Sequence, residues 1–211
     1  MEHKGIVIIN DTNFLITEGL AEKIGFEFRL KRTNDDLSDG INILIYLIDY
    51  SVDHKPEIKI GETIQYGFWV LKFLTRDNHY LDIWECTLSL HDWIEGASTA
   101  IEVFKEHKDL MSKLNVEALV PTFNQKIVIS EGVLEGDFVE GVRYPSPGHM
   151  SGWWLSTDRY NGDLGTMKPI PLHEFIPFRP DLIKYLILPF GFRFDTRSKD
   201  VWFDESATKE G

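Results

Sequence analysis

From Ile64 to Leu90 the chain alternates in a way that suits an extended sheet. Ile64, Tyr66, Phe68 and Val70 fall on one side of a strand, and Trp69, Leu71 and Phe73 on the other. Thr75-Arg76-Asp77-Asn78-His79 has the polar composition of a turn, after which Tyr80 to Leu90 returns as a second strand. Both faces of this hairpin are partly apolar, so the fold has to cover it on both sides. A chain of 211 residues has the length to do so, as one large domain or two small ones.

The flanking segments predict what supplies that cover. Gly5 to Asn10 predicts a short β-branched strand, and Thr12 to Ile24 a short helix with Thr17 and Glu18 near its start. Phe26 to Lys31 alternates as a half-buried strand, Thr33 to Gly40 is a polar loop, and Ile41 to Tyr50 is an apolar run expected to be a central strand. Gly96 to Leu114 has helical spacing, with Ala97, Ala100, Ile101, Phe104, Met111 and Leu114 on one face. Such a stripe reads as core packing and not as a cofactor site. Val116 to Gln125 contains Pro121, lacks periodicity and is the expected linker.

Beyond it, Lys126 to Ile129 and Phe138 to Tyr144 predict strands, and a Pro-Gly loop then leads into a tryptophan-bearing strand. Asp158 to Lys168 is a loop, while Pro171 to Phe175 and Arg179 to Leu186 predict short helices, the second with Pro180 at a favourable early position. Pro189 to Phe194 and Val201 to Phe203 predict closing strands. Strands and helices do not alternate strictly. The expected class is α+β, with two small domains at 1–120 and 121–211, each a mostly antiparallel sheet with packed helices.

Charge and cysteine narrow the setting. There are 22 basic and 34 acidic residues, a formal net charge of −12. That balance disfavours nucleic acid and anionic membranes and favours basic partners. The excess is greater in residues 1–120, with 21 acidic and 12 basic side chains, than in the remainder, with 13 and 10. Cys86 is the sole cysteine and lies in an apolar strand, so no internal disulfide forms and a buried structural thiol is expected. The apolar run at Ile6 to Ile9 is short for an export signal, and no stretch approaches a membrane span, which points to the cytoplasm.

Catalytic chemistry has little support. Seven histidines form no H-x-H or H-x-x-x-H pair, so no metal ligand set is expected. Phosphate-cradling glycine motifs are missing, so no nucleotide cofactor is expected. Lys31-Arg32 is too isolated for a nucleic-acid stripe. Gly148-His149-Met150-Ser151-Gly152 resembles a nucleophile elbow, but its serine is one position late. A small hydrolase using Ser151, with His149 or His91 and Asp158 or Asp92, stays open as an alternative, as does a ligand-binding protein with an aromatic pocket. Asp82 and Glu85 are carboxylates in an apolar strand, where burial raises a pKa. Neighbouring Trp153 and Trp154 point to opposite faces of a strand, so at least one is available as an interface anchor beside acidic residues. The candidate partner-binding residues are His149, Trp153, Trp154, Asp158, Tyr160 and Asp163.

The second half carries a family pattern. Ile127-Val128-Ile129-Ser130, Val133-Leu134-Glu135-Gly136, Val142-Arg143-Tyr144 and Ser151-Gly152-Trp153 occur in order. Ile183 to Leu188, Pro189-Phe190-Gly191-Phe192-Arg193-Phe194 and Trp202 follow. Together they resemble the immunity protein 33 family. The first half, with Tyr80-Leu81-Asp82-Ile83-Trp84-Glu85 and Trp93 to Ala97, resembles a companion domain found ahead of such domains. The loop Pro145-Ser146-Pro147-Gly148-His149-Met150 departs from the acidic, arginine-bearing loop usual in the family. The resemblance implies a bacterial immunity protein, not an enzyme, that neutralises a cognate toxin of a type VI or contact-dependent system, encoded adjacently. A basic nuclease acting in the cytoplasm suits the acidic charge.

Overall fold

The computed structural model describes residues 1–32, 37–77 and 79–209. It is an α+β structure that divides into two compact units, Met1–Phe104 and Lys105–Gly211, each built on one sheet.

The first unit runs β1 (Glu2–His3), β2 (Ile6–Asn10), β3 (Phe14–Glu18), α1 (Ala21–Ile24), β4 (Glu27–Lys31), α2 (Leu37–His54), β5 (Thr63–Tyr66), β6 (Trp69–Leu74), β7 (Tyr80–Cys86) and β8 (Trp93–Glu95). The helix α3 (Ser98–Leu114) follows, and the division between the units falls within it. The eight strands lie in the order β1-β2-β3-β4-β7-β6-β5, with β8 also paired to β7. Pairing is antiparallel except between β4 and β7. On β7, Tyr80 to Asp82 pair with β4, while Trp84 to Cys86 pair with β8.

Four expectations fail here. Thr12 to Ile24 is not a helix: Phe14–Glu18 is β3, joined to β2 by a tight turn in which Asp11 and Phe14 exchange backbone hydrogen bonds, and only Ala21–Ile24 is helical. Ile41 to Tyr50 is not a strand but the middle of α2. Its buried residues Ile43, Leu44, Leu47, Ile48 and Ser51 follow helical spacing, which a continuous apolar run conceals. The loop expected from Thr33 falls partly at 33–36, outside the described residues, and Gly40 already belongs to α2. Finally, the long strand through Ile64 to Phe73 is two strands. Tyr66 pairs with Trp69 across a two-residue turn, and Gly67 takes φ 57°, a left-handed conformation that costs glycine little. The turn expected at 75–79 separates β6 and β7, and its Asn78 lies outside the described residues.

Buried polar groups of this unit are used structurally. Glu85 accepts hydrogen bonds from the backbone N–H of Thr99 (2.9 Å) and Ala100 (2.7 Å), capping α3 from a neighbouring strand. Burial pushes its carboxyl pKa up. Asp82 is bound by the Arg29 guanidinium at 2.5 Å and 3.1 Å. Cys86 is buried, and desolvation raises its thiol pKa to about 11, so it stays a neutral thiol.

In the second unit, 116–125 forms no helix or strand, yet it is held in place. Leu119 N–H donates to Ile187 O, and the Gln125 amide donates to Gly148 O. There follow β9 (Lys126–Ile129), β10 (Glu140–Arg143), β11 (Met150–Ser156), β12 (Lys168–Pro171), α4 (Leu172–Phe175), a 3-10 helix at Pro180–Tyr185, β13 (Phe192–Asp195) and β14 (Asp200–Phe203). Their order is β12-β9-β11-β10-β13-β14, antiparallel except for β9 with β11. Strand β12 does not appear in the sequence reading. It is an edge strand, where Pro169 and Pro171, which have no N–H to donate, are tolerated because an edge leaves half of its backbone positions without a neighbouring strand. The core on one face of the sheet includes Trp153, Leu155 and Phe194, with Tyr185 stacked on Phe194 at 4.3 Å.

Candidate binding face

Gly152 sets the geometry of the Ser151-Gly152-Trp153-Trp154 segment. It has φ 86°, and a Cβ there would lie 2.3 Å from Tyr144 O. Only glycine lets β11 bend at this point while Tyr144 N–H donates to Gly152 O. The register between β11 and β9 shifts between Met150 and Trp154, the mark of a bulge. Beyond it the two tryptophans separate.

Trp153 turns into the core. It is fully buried, its indole N–H donates to Leu186 O at 2.9 Å, and its ring lies 5.2 Å from Phe194. It therefore has no surface to offer a partner, which corrects its inclusion among the candidate contacts. Arg143 holds the same region together from beneath. It is 2% exposed and donates to the carbonyls of Ser151, Leu119, Leu186 and Leu188. Burial lowers its pKa to about 10, so it remains charged at neutral pH.

Trp154 points the other way. Strand register places it in one row with Val142, Arg193 and Trp202 across β11, β10, β13 and β14. At about 4.8 Å per strand the row is roughly 14 Å long from Trp154 to Trp202. Trp202 is 39% exposed. Arg193 is held by Asp204 at 2.6 Å and by Glu140 at 3.1 Å.

Val142, Trp154 and Ser156 form the floor of a groove of about 540 Å³. One wall is Tyr144-Pro145-Ser146-Pro147, and the other is Tyr160, Leu164 and Met167. No charged side chain lines it. The Tyr144 and Tyr160 hydroxyls and the Trp154 indole N–H have no hydrogen-bond partner among the described residues. A second cavity of about 630 Å³ lies across Tyr160, with Glu131, Glu135, Arg159 and Lys168 in its lining.

The structure thus joins Trp154 and Tyr160 in one groove. His149, Asp158 and Asp163 are exposed but do not line it. His149 lies in the loop that follows the proline wall, and its carbonyl accepts from Lys126 N–H. Asp158 pairs with Arg197, whose guanidinium lies 5.1 Å over the exposed Phe138 ring. Asp163 accepts from Gly165 N–H at 2.8 Å and caps the turn that carries Leu164. Sequence reasoning missed Tyr144, Leu164, Met167, Arg193 and Trp202 as parts of this face. They are brought together by register and by a loop returning over the sheet, neither of which leaves a local signal.

Catalytic candidates fare differently. Ser151 Oγ is buried and donates to Lys126 O at 2.9 Å while accepting from Trp153 N–H. That serine is a structural group of the bulge, and the hydrolase reading that used it loses its nucleophile. Among the described residues no cluster of three or more His, Cys, Asp or Glu is arranged to hold a metal, and no helix is long and apolar enough to cross a membrane.

No curated protein and no solved structure matches the chain. A family model does match, beginning inside α3 and ending after β14, so that it takes in all six strands of the second sheet and the groove. Residues 106–204 are similar to the Imm33-like domain.

Proposed function

We propose that this protein is an immunity protein that binds and neutralises a cognate secreted antibacterial toxin. The observation that carries the reading is the Imm33-like match over the unit that holds the aromatic face. An exposed or half-buried tryptophan row with a charged rim is the anatomy of a protein-binding surface. The contacts fall on Trp154 and Tyr160, with His149, Asp158 and Asp163 at the rim. The acidic chain, at −12, suits a basic toxin such as a nuclease acting in the cytoplasm, encoded next to this protein and delivered by a type VI or contact-dependent system.

The test is protection. The gene beside this one is expressed in a sensitive bacterium with and without the protein, and the two purified products are titrated by calorimetry. Restored growth and a stable complex are expected. Unrelieved toxicity, or no complex with an adjacent toxin, overturns the reading.

A further inference from the structure

The groove has a chemistry of its own. Two tyrosines and a tryptophan present flat apolar rings, and prolines 145 and 147 stiffen one wall. The hydroxyls of Ser146 and Ser156 already donate to Tyr144 O and Glu140 O. The indole N–H of Trp154 is a donor only, and with the tyrosine hydroxyls it stands without an internal partner among the described residues. Such a groove favours a ligand rich in accessible carbonyls, poor in N–H groups, and with flat rings to stack. A polyproline II segment has these properties: its carbonyls carry no internal hydrogen bonds, its prolines lack N–H, and it loses little entropy on binding.

Charge adds direction. Glu140 lies on the floor side of β10, paired across the strands with Ser156. It shares Arg193 with Asp204, so this group of three is net negative. Asp163, next to Leu164 in the wall, has no ion-pair partner among the described residues. Lys168, next to Met167 of the same wall, is a basic counterpart with no ion-pair partner among the described residues, while a basic residue beside the prolines complements the Glu140 and Asp163 part of the rim.

We propose that the groove between Tyr144–Pro147 and Tyr160–Met167 binds an extended, proline-bearing protein segment with a basic flank. That the segment belongs to the toxin rests on the immunity reading; the chemistry of the groove does not.

The full chain is titrated by calorimetry with a synthetic twelve-residue proline-rich peptide ending in two arginines, and with the same peptide carrying alanine in place of proline. Saturable binding is expected, at least about tenfold weaker for the alanine peptide, corresponding to 1.4 kcal/mol. Trp154→Ala is expected to abolish binding, and Tyr160→Phe to weaken it severalfold with an unchanged melting temperature. No saturable binding, equal affinity for the two peptides, or an unaffected Tyr160→Phe protein overturns the proposal. The toxin is then titrated against the same variants. Toxin binding that survives Trp154→Ala overturns the assignment of the segment to the toxin but leaves the immunity reading standing. Peptide binding without protection from any adjacent toxin does the reverse.

Discussion

Arg143 keeps a full charge in the core with no ion pair among the described residues, because four backbone carbonyls solvate it in place of water. Those carbonyls come from chain segments far apart in sequence, so one side chain ties β11 to the 119 and 186–188 segments. Arg143→Met is expected to lower stability by about 3 kcal/mol, since it strands buried acceptors; urea denaturation followed by circular dichroism measures it. Arg143→Lys is expected to recover only part of this, because an ammonium lacks the planar fork. His107, also buried, has its ring Nε2 at 3.0 Å from Ile183 O, and desolvation lowers its pKa. The unfolded chain therefore binds a proton that the folded state refuses. This contribution is present above about pH 6.5, the unfolded value, and is lost as pH falls from there through the depressed folded value. His107→Gln is expected to flatten that part of the stability–pH profile.

At the scale of elements, the helix α3 depends on a strand for its N-terminus. Glu85 on β7 accepts from two of the first backbone N–H groups of α3, so Glu85→Ala is expected to cost about 1–2 kcal/mol and to raise amide exchange in the first turn. The β11 bulge is a comparable dependency. Gly152→Ala forces a Cβ against Tyr144 O in a left-handed conformation, with an expected cost of about 1–3 kcal/mol. Because that bend aims Trp154 into the groove, the variant is also expected to weaken partner binding beyond its effect on stability, and calorimetry at a temperature where it remains folded separates the two.

The charge of the whole molecule acts at longer range than any pair on its surface. With a net −12, association with the basic toxin proposed above is expected to slow by about an order of magnitude between low and physiological salt, while dissociation changes little. Trp154→Ala is expected to show the opposite pattern, with faster dissociation at a nearly unchanged on-rate, because anchors in a desolvated groove act after encounter. Stopped-flow measurements at two salt concentrations distinguish these effects.

Local pattern determined a good deal of this protein. The period-2 runs at Phe26 to Lys31 and Phe192 to Phe194, and the period-3.6 stripe of α3, are visible because one face of each is apolar and the other polar. The ordered motifs from Ile127 to Trp202, runs of strand and turn residues, lie within the stretch that is similar to the Imm33-like domain. Where both faces are apolar the pattern carries no phase. Ile41 to Tyr50 reads as a central strand but is the middle of α2, and Ile64 to Phe73 hides a turn at Gly67. The division of labour between Trp153 and Trp154 was legible as opposite faces, but which face lay inside was decided by the carbonyls and rings waiting there, Leu186 O and Phe194 among them. The groove is wholly a tertiary matter. Its floor is set by the register of two strand pairings and its far wall by a loop that returns over them, and neither distance is encoded in any single stretch of sequence.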